Sequence, residues 1–318
     1  MLWRSLFSML SPAGAQARLS ILIFHRVLPG RDPLFPGEID AAGFDQVCAR
    51  LARWFQVLPL DEAVERLQRG QLPARAAVIT FDDGYADNHD VALPILQRHG
   101  LCATFYIATG FLDGGRMWND SVIAAVRHSP LAQLDLSSLG LDGIRSLPLG
   151  DVAQRRAAIE ALIKALKYLP QPQRLERVAQ VAQCAGATLP DDLMMRSDQV
   201  RALHSAGMQI GAHTVSHPIL AGLDDAAAER EIDTSRQQLQ ALLGAPVRHF
   251  AYPNGVPGRD FTTGTAALVR RLGFDSAVTT GWGAARRGAD PHQLPRFTPW
   301  DRSAGRWALR LAQNLRSR

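Results

Sequence analysis

Short runs of apolar and β-branched residues alternate along the chain with longer segments whose apolar side chains recur at helical spacing. A short apolar run is typical of a buried strand, and a period near 3.6 is typical of an amphipathic helix. This pattern predicts strands at residues 20–24, 55–58, 77–81, 103–107, 208–211, 249–251, 276–279 and 294–297. It predicts helices at residues 41–54, 60–69, 88–99, 198–206, 226–243 and 262–272. Strands that alternate with helices favour parallel βαβ units and an α/β fold.

The segment from about residue 113 to 193 interrupts this alternation. It contains helical patterns and turn-forming residues but no clear strand; its predicted helices cover residues 121–127, 152–168 and 172–184. We interpret it as a helical insertion between two barrel strands of one catalytic domain that covers residues 1–318. An excursion of this size frequently shapes a substrate groove.

The three cysteines are Cys48, Cys102 and Cys184, which are odd in number and far apart in sequence. Neither a disulfide framework nor a zinc ribbon has this spacing. We therefore expect thiols in a reducing compartment, with the protein cytoplasmic or peripheral to the inner membrane, and a periplasmic location as the alternative.

The chain carries 35 Lys and Arg residues against 30 Asp and Glu residues, a formal net charge of +5. This balance indicates either attraction to an anionic polymer or membrane, or merely a preference for arginine codons, which we favour. Because no run of five like charges occurs, we expect no nucleic-acid partner.

Both ends of the chain have amphipathic helical patterns. Trp3, Leu6, Phe7 and Leu10 recur at helical spacing, and residues 302–318 form a second, basic pattern. No stretch reaches the ~18 to 20 apolar residues that span a bilayer. These helices either pack on the domain or make a peripheral membrane contact. The sequence does not predict the oligomeric state.

The first group of candidate chemical residues follows the predicted strand at 77–81. Asp82 and Asp83 come directly after it, and Gly84 opens a loop. The carboxyl ends of parallel strands carry the active sites of such folds. Adjacent carboxylates repel each other unless a cation or hydrogen bonds compensate. The alternative is a turn that precedes a helix.

The second group follows the predicted strand at 208–211. His213 and His217 are four residues apart, a spacing that lets both imidazoles reach one metal ion. A histidine pair alone is more frequently structural. Two imidazoles and one carboxylate at neighbouring strand ends, however, are the donor set of a catalytic metal site.

The combination of T-F-D-D-G at residues 80–84 with H-T-V-S-H at residues 213–217 resembles the polysaccharide deacetylases of carbohydrate esterase family 4, which share the chitooligosaccharide deacetylase homology domain. The resemblance covers about residues 74–297. It implies a distorted (β/α) barrel of about seven strands and removal of acetyl groups from sugars with a divalent metal, expected to be Zn²⁺. It also implies roles for four residues: Asp82 as catalytic base and Asp83, His213 and His217 as metal ligands.

The sequence departs from the usual family pattern at residues 250–255, which read F-A-Y-P-N-G. Ala251 stands where the family has an arginine beside the base, and the string resembles a phenylalanine-alanine-tyrosine-proline branch of the family. Arg296 is our candidate for the missing arginine, and a purely structural role for it is equally open. Tyr252 and Asn254 are predicted to contact the substrate.

The family's late histidine, the acid that protonates the leaving amine, has no matching string here. His25, His249 and His292 are the alternatives, and we favour His25 as a substrate-binding or supporting residue because it ends an apolar strand. The general acid therefore has no assignment. Trp118 is predicted to stack on a sugar ring, unless it merely begins a helix capped by Asn119 or Asp120.

Three functions follow from these residues. The favoured one is a carbohydrate deacetylase acting on N-acetylated sugars of a polysaccharide or of its lipid-linked precursor. The second is a hydrolase of small amides or cyclic imides on the same barrel, which a closed pocket with few aromatic side chains would favour. The third is a non-catalytic carbohydrate-binding homologue, against which the intact carboxylates and histidines argue.

Overall fold

A computed structural model describes residues 2–141, 143–299, 301 and 303–317. Within this part of the chain the strands are β1 (Arg18–Phe24), β2 (Gln56–Val57), β3 (Ala76–Phe81), β4 (Thr104–Ile107), β5 (Gln133–Asp135), β6 (Ser146–Pro148), β7 (Gln209–Ala212), β8 (His249–Ala251), β9 (Ser276–Trp282), β10 (Ala285–Arg286) and β11 (Leu294–Arg296). The α-helices are α1 (Leu2–Leu10), α2 (Ala41–Trp54), α3 (Leu60–Arg69), α4 (Leu93–Arg98), α5 (Trp118–His128), α6 (Val152–Leu166), α7 (Gln171–Ala185), α8 (Ser197–Ser205), α9 (Asp225–Leu243), α10 (Thr263–Arg271) and α11 (Ala304–Arg316).

The main sheet is a nearly closed barrel, which confirms the predicted fold. Its strand order is β10-β1-β3-β4-β7-β8-β9-β11, and β2 also pairs with β3. All pairs are parallel except β10 with β1. Beyond β11, the Phe297 amide donates to the Ile21 carbonyl at 2.7 Å and the Ile23 amide donates to the Phe297 carbonyl at 3.1 Å. These bonds bring the end of β11 against β1.

Long barrel strands such as β1 and β3 contribute alternate side chains to two separate apolar cores. In β3, Ala76 and Val78 join the interior core, whereas Ala77, Ile79 and Phe81 join the core beneath the helices. This period of two is the geometry of a strand, and burial on both faces explains why β3 reads as a continuous apolar run. The alternation also determines which residues beyond each strand face the barrel interior.

One predicted helix, at residues 88–99, is divided. Residues Asn88–Ala92 form a π-helical turn, and α4 follows from Leu93. Pro94 lies in the first turn of α4 and has no backbone N–H to continue a regular helical ladder. Regular α-helix over the whole range was therefore a wrong prediction.

The terminal helices pack on the barrel unit around tryptophan side chains. The ring of Trp54 lies 6.4 Å from that of Trp3 and 5.7 Å from that of Trp307. Leu2, Met9 and Leu309 nevertheless remain exposed. Arg302 and Arg318 of the predicted basic tail lie outside the described residues. Among the described helices, none has the length and apolar character needed to cross a membrane.

The chain divides into two compact units. The first contains the barrel, from residues 1–30, 37–112 and 195–318; the second contains residues 31–36 and 113–194. The second unit has its own apolar core, to which α5, α6 and α7 contribute Val122, Ile159 and Val181. The expectation that this segment has no strand is wrong, because β5 and β6 form an antiparallel hairpin. Each strand has three residues, and Leu134 is the one buried side chain of β5, so no detectable period arises.

Candidate active site

The chemistry-bearing residues extend the inner faces of three barrel strands. Asp82 follows Thr80 of β3 at a spacing of two, and His213 likewise follows Gly211 of β7. Arg296 follows Leu294, an interior residue of β11. Because side chains alternate along a strand, all three enter the same end of the barrel.

Asp83, His213 and His217 form a cluster that fits one metal ion. The Nε2 atoms of His213 and His217 lie 3.3 Å and 3.4 Å from Oδ1 of Asp83, and one ligand atom from each residue lies within 4.8 Å of the others. That Oδ1 atom is buried and has no hydrogen-bond partner among the described residues. A buried carboxylate oxygen without a hydrogen bond is costly, so converging donors around it are the signature of a cation site.

The backbone of this cluster is held in an unusual conformation. Asp83, Thr214 and His217 all have positive φ angles, of 78°, 66° and 53°. Non-glycine residues adopt this left-handed region at a cost of roughly 1 kcal/mol or more each. The fold therefore maintains local strain that aims Asp83 and His217 at a common point.

The tautomer of His213 is set by a backbone carbonyl. Its Nδ1 lies 2.7 Å from the Ala251 oxygen, and Nδ1–H donates to that oxygen. The lone pair of Nε2 is then directed at Asp83, as in histidine ligands that are oriented by a second hydrogen bond. Ala251 thus contributes its carbonyl where the family pattern has an arginine side chain.

Arg296 forms a bidentate ion pair with Asp82. Its Nη1 and Nη2 atoms donate to Oδ1 and Oδ2 of Asp82 at 2.7 Å and 2.6 Å. Nη1 also contacts Thr80 Oγ1, and Nε donates to the Thr279 carbonyl at 2.8 Å. The two partners are 1% and 2% exposed. Arg296 therefore makes the contact with Asp82 that was expected of the arginine absent at position 251.

The charges of the site favour ionised carboxylates at Asp82 and Asp83 and a neutral imidazole at His217. Burial by itself would raise the pKa of Asp82, but the Arg296 guanidinium outweighs burial and lowers it. Burial likewise opposes the ionisation of Asp83, yet the neighbouring histidines hold its pKa below the usual range. Burial lowers the pKa of His217 to about 4. Burial also opposes protonation of His213, but the neighbouring carboxylates of Asp83 and Asp82 outweigh burial and raise its pKa. The ionised carboxylates and the neutral imidazole of His217 are the protonation states that metal binding requires.

His25 follows β1, and its side chain is exposed. It is close enough for its charge to lower the pKa of both Asp82 and Asp83. The side-chain amide of Asn88 donates to the His25 carbonyl at 2.8 Å and fixes the backbone that follows β1. By contrast, His249 is buried against Ser276.

His292 is also buried, and its Nε2 lies 2.8 Å from the Phe274 carbonyl. It precedes β11, as His249 begins β8, so both lie at the amino ends of their strands. Neither is placed to protonate a leaving group near Asp82.

The remaining predicted substrate contacts are placed less favourably. Tyr252 is fully buried, stacks on Phe261 with ring centroids 3.8 Å apart, and donates its hydroxyl to the His292 carbonyl. This geometry argues against the predicted sugar contact by Tyr252. Asn254 is half-buried in a left-handed conformation, and its contact stays a prediction.

Trp118 belongs to the second compact unit. It begins α5 directly after the N-cap Met117, so neither Asn119 nor Asp120 is the helix cap. The Arg174 guanidinium lies 5.1 Å from the Trp118 ring. Its predicted stacking on a sugar stays a prediction.

Sequence reasoning missed Glu231 of α9. Its carboxylate accepts hydrogen bonds from the amides of Val215 and Ser216, at 2.9 Å and 2.8 Å, and from the Ser216 hydroxyl at 2.7 Å. No local signal distinguishes Glu231 from the other acidic residues of α9, because the contact depends on how the helix packs on the loop.

The fold and the donor set together define the class of barrel protein with a candidate catalytic metal centre at the carboxyl ends of its strands. The family model of the polysaccharide deacetylases matches residues 69–132 and 160–277, more than half of the chain. The chain therefore belongs to the polysaccharide deacetylase family, as the paired motifs predicted.

Individual relatives agree with this family. A Bacillus subtilis protein described as a polysaccharide deacetylase, YxkH, is 32% identical over 97 residues, which are 29% of this chain and 32% of that protein. The match thus spans about a third of the curated relative.

Solved structures share the fold. The Streptococcus pyogenes deacetylase PplD in complex with acetate is similar with a TM-score of 0.61 and 19% identity, covering 94% of this chain and 98% of that one. IcaB from Ammonifex degensii is similar with a TM-score of 0.57 and 20% identity, covering 96% and 99%.

Proposed function

We propose that this protein is a metal-dependent deacetylase that removes acetyl groups from N-acetylated sugars of a polysaccharide or of its lipid-linked precursor. The observation that carries the proposal is the cluster of buried Asp83, buried His213 and half-buried His217, which lies next to the ion pair of Asp82 with Arg296. A non-catalytic carbohydrate-binding protein would have no need for the costly ion pair of Asp82 and Arg296.

The donor set suits a divalent ion such as Zn²⁺, since two neutral imidazoles and one carboxylate leave coordination positions free. When bound, such an ion supplies Lewis acidity toward an acetyl carbonyl and lowers the pKa of water to about 7. Asp83, His213 and His217 would hold it, with His213 oriented by the Ala251 carbonyl.

The protein's own groups provide the proton transfers. Asp82 stays ionised beside Arg296 and each of its oxygens retains a lone pair, so it can accept a proton from the attacking water. The water oxygen bonds to the acetyl carbon, the C–N bond breaks, and the leaving nitrogen takes up a proton as acetate forms. His25 is the proposed donor of that proton, because it is the exposed imidazole whose charge reaches both aspartates.

The test measures metal content and acetate release from N-acetylglucosamine oligomers. Asp82→Asn should keep the metal and lose turnover, whereas His213→Ala should lose both. His25→Ala should keep the metal and lower kcat at least tenfold. His204→Ala, which removes an exposed histidine from α8, is the matched control and should behave as wild type.

Two results would contradict the proposal. If no divalent metal co-purified or could be reconstituted, the metal-dependent mechanism would be wrong. Full activity of Asp82→Asn would exclude Asp82 as the base. Ring opening of small cyclic imides to amic acids, or release of ammonia from small primary amides, without acetate release from sugars would instead support the hydrolase of small amides or imides.

A further inference from the structure

A polar cleft lies at the end of the barrel opposite the metal cluster. It has a volume of about 630 Å³, and Arg18, at the first residue of β1, lies in its wall. Arg286 of β10 and the following Arg287 also line it, together with Gln16 and Gln68. Three guanidinium groups therefore surround this cleft, and among the described residues neither a carboxylate nor an aromatic side chain is part of its lining.

Two of these cations are directly opposed across the sheet. Arg18 pairs with Arg286 in the antiparallel register of β1 and β10. Like charges at directly opposite positions destabilise a sheet. Arg18 Nη1 donates a hydrogen bond to the Ser317 carbonyl at 2.6 Å. Because a carbonyl carries no net charge, this bond does not neutralise the guanidinium of Arg18.

The acidic residues that flank the cleft in sequence are occupied elsewhere. Glu65, three residues before Gln68, pairs with Arg69 at 2.8 Å. Asp290, which follows the cleft residue Gly288, pairs with Arg270 at 2.9 Å. The positive charge of the cleft is therefore uncompensated by these protein side chains.

We propose that this cleft binds a phosphate or diphosphate group. Guanidinium groups present paired N–H donors that match phosphate oxygens, and an anion between Arg18 and Arg286 would replace their repulsion with two attractions. The volume admits a ligand larger than a single phosphate. The phosphate belongs either to a free small molecule or to the headgroup of an anionic lipid.

Calorimetric titration of the purified protein with inorganic diphosphate, at constant ionic strength in chloride, tests the site. Wild type should bind, and Arg286→Gln and Arg18→Gln should each weaken binding at least tenfold. Arg248→Gln removes an exposed arginine paired with Asp275 and is the matched control, expected to bind as wild type. Diphosphate also binds metal ions, so His213→Ala is included and should retain the affinity.

The unliganded variants provide a second measurement. Because removal of one charge relieves the cross-strand repulsion, Arg286→Gln without diphosphate should melt at the same temperature as wild type or higher at low salt. A lower melting temperature would show that Arg286 serves packing alone and would overturn the proposal. Equal diphosphate affinity in wild type and Arg286→Gln would overturn it as well.

Vesicles distinguish the two sources of phosphate. Sedimentation with phosphatidylglycerol vesicles, but not with phosphatidylcholine vesicles, and its loss in Arg286→Gln would identify a lipid headgroup. Binding of free diphosphate without sedimentation would identify a soluble ligand.

A second inference, which rests on the proposed function, concerns Glu231. The histidine loop, residues 213–217, carries both imidazole ligands and has no regular secondary structure. The histidine loop makes three hydrogen bonds to Glu231. In addition, its Thr214 carbonyl accepts a hydrogen bond from the Thr109 amide at 3.1 Å. The Gly110 amide donates to the Val215 carbonyl at 2.8 Å, and a Cβ atom on Gly110 would lie 2.7 Å from that oxygen.

We infer that Glu231 is a positioning residue that sets the separation of the two histidine ligands. It anchors Val215 and Ser216, the residues between the ligands, on α9. Groups that orient metal ligands from outside the coordination sphere typically change metal affinity by 10- to 100-fold when they are removed.

The test is the dissociation constant for Zn²⁺, measured by competition with a chelator. Glu231→Ala should raise it at least tenfold. Glu231→Gln should stay within about threefold of wild type, because its carbonyl can accept the two amides and its NH₂ can donate to Ser216. Glu229→Ala, an exposed position on the same helix, is the control and should not change it.

The outcomes separate the two hypotheses. If wild type binds no metal, the proposed function fails. If wild type binds metal and Glu231→Ala binds it equally well, only the role of Glu231 is wrong.

Discussion

The ion pair between Arg296 and Asp82 offers the sharpest test of the site, through the substitution Arg296→Met. Methionine keeps much of the volume but removes the donors to Asp82, Thr80 and Thr279. Removing one partner of a buried ion pair costs about 3–5 kcal/mol, because the other charge stays buried without compensation. At about 2 °C for each kcal/mol, this corresponds to a fall in Tm of roughly 6–10 °C.

Urea denaturation and thermal melting measure this cost, and a double-mutant cycle isolates the pair. Asp82→Asn with Arg296→Met should be less destabilised than the sum of the single variants by about 2 kcal/mol or more, since no unpaired charge remains. The control Arg248→Met breaks an exposed pair with Asp275 at 3.5 Å and should cost less than about 1 kcal/mol.

Activity provides an independent measurement for Arg296→Met. We expect kcat to fall by about two orders of magnitude or more with metal content unchanged, because the base loses its fixed position. The reasoning would be refuted if Arg296→Met kept its Tm within 2 °C of wild type and its kcat within threefold.

Three further predictions concern the barrel unit. Gly211→Ala places a Cβ atom in the space of the Tyr106 ring and should lower the free energy of unfolding in urea by about 1–3 kcal/mol. Gly222→Ala adds a Cβ atom in open space and should leave stability unchanged. Equal stability of the two variants would contradict the close contact between Gly211 and Tyr106. Burial lowers the pKa of His249 to about 4, so the unfolded state binds more protons than the folded state below about pH 6.5. The free energy of unfolding should therefore decrease as the pH drops, by about 2 kcal/mol at pH 5. A His249→Asn variant should lack this pH dependence. Burial raises the pKa of Cys48 to about 12, so mass spectrometry should find it alkylated by iodoacetamide only after unfolding, and rapid modification of native protein would refute this.

The order of strands and helices in the barrel was predictable because each buried element has enough residues to show its period. The predicted helix at 60–69 and strand at 249–251 have the bounds of α3 and β8. The hairpin of β5 and β6 was not predictable, since three residues do not establish an alternation. The π-helical turn before α4 depends on a single proline that interrupts an otherwise helical pattern.

The candidate site was predictable where its polar residues directly follow a strand in the sequence. Asp82 and His213 follow from that rule, which fixes both the barrel end and the face. For Asp83 the rule fixes the barrel end alone, because its positive φ sets the direction of its side chain. Arg296 could be proposed but not placed, because its bonds to Asp82 depend on closure of the sheet. Tyr252 was expected at the substrate, yet its stacking on Phe261 is a tertiary contact that the local sequence does not reveal.

The distance along the chain between Asp82 and Arg296 has a consequence for biosynthesis. The two residues are 214 positions apart, and β11 is the last strand of the described sheet. As the polypeptide leaves the ribosome, Asp83, His213 and His217 emerge well before Arg296. The bidentate ion pair with Asp82 can therefore form only after the last strand of the described sheet has been synthesised, and a product truncated before residue 296 would lack it.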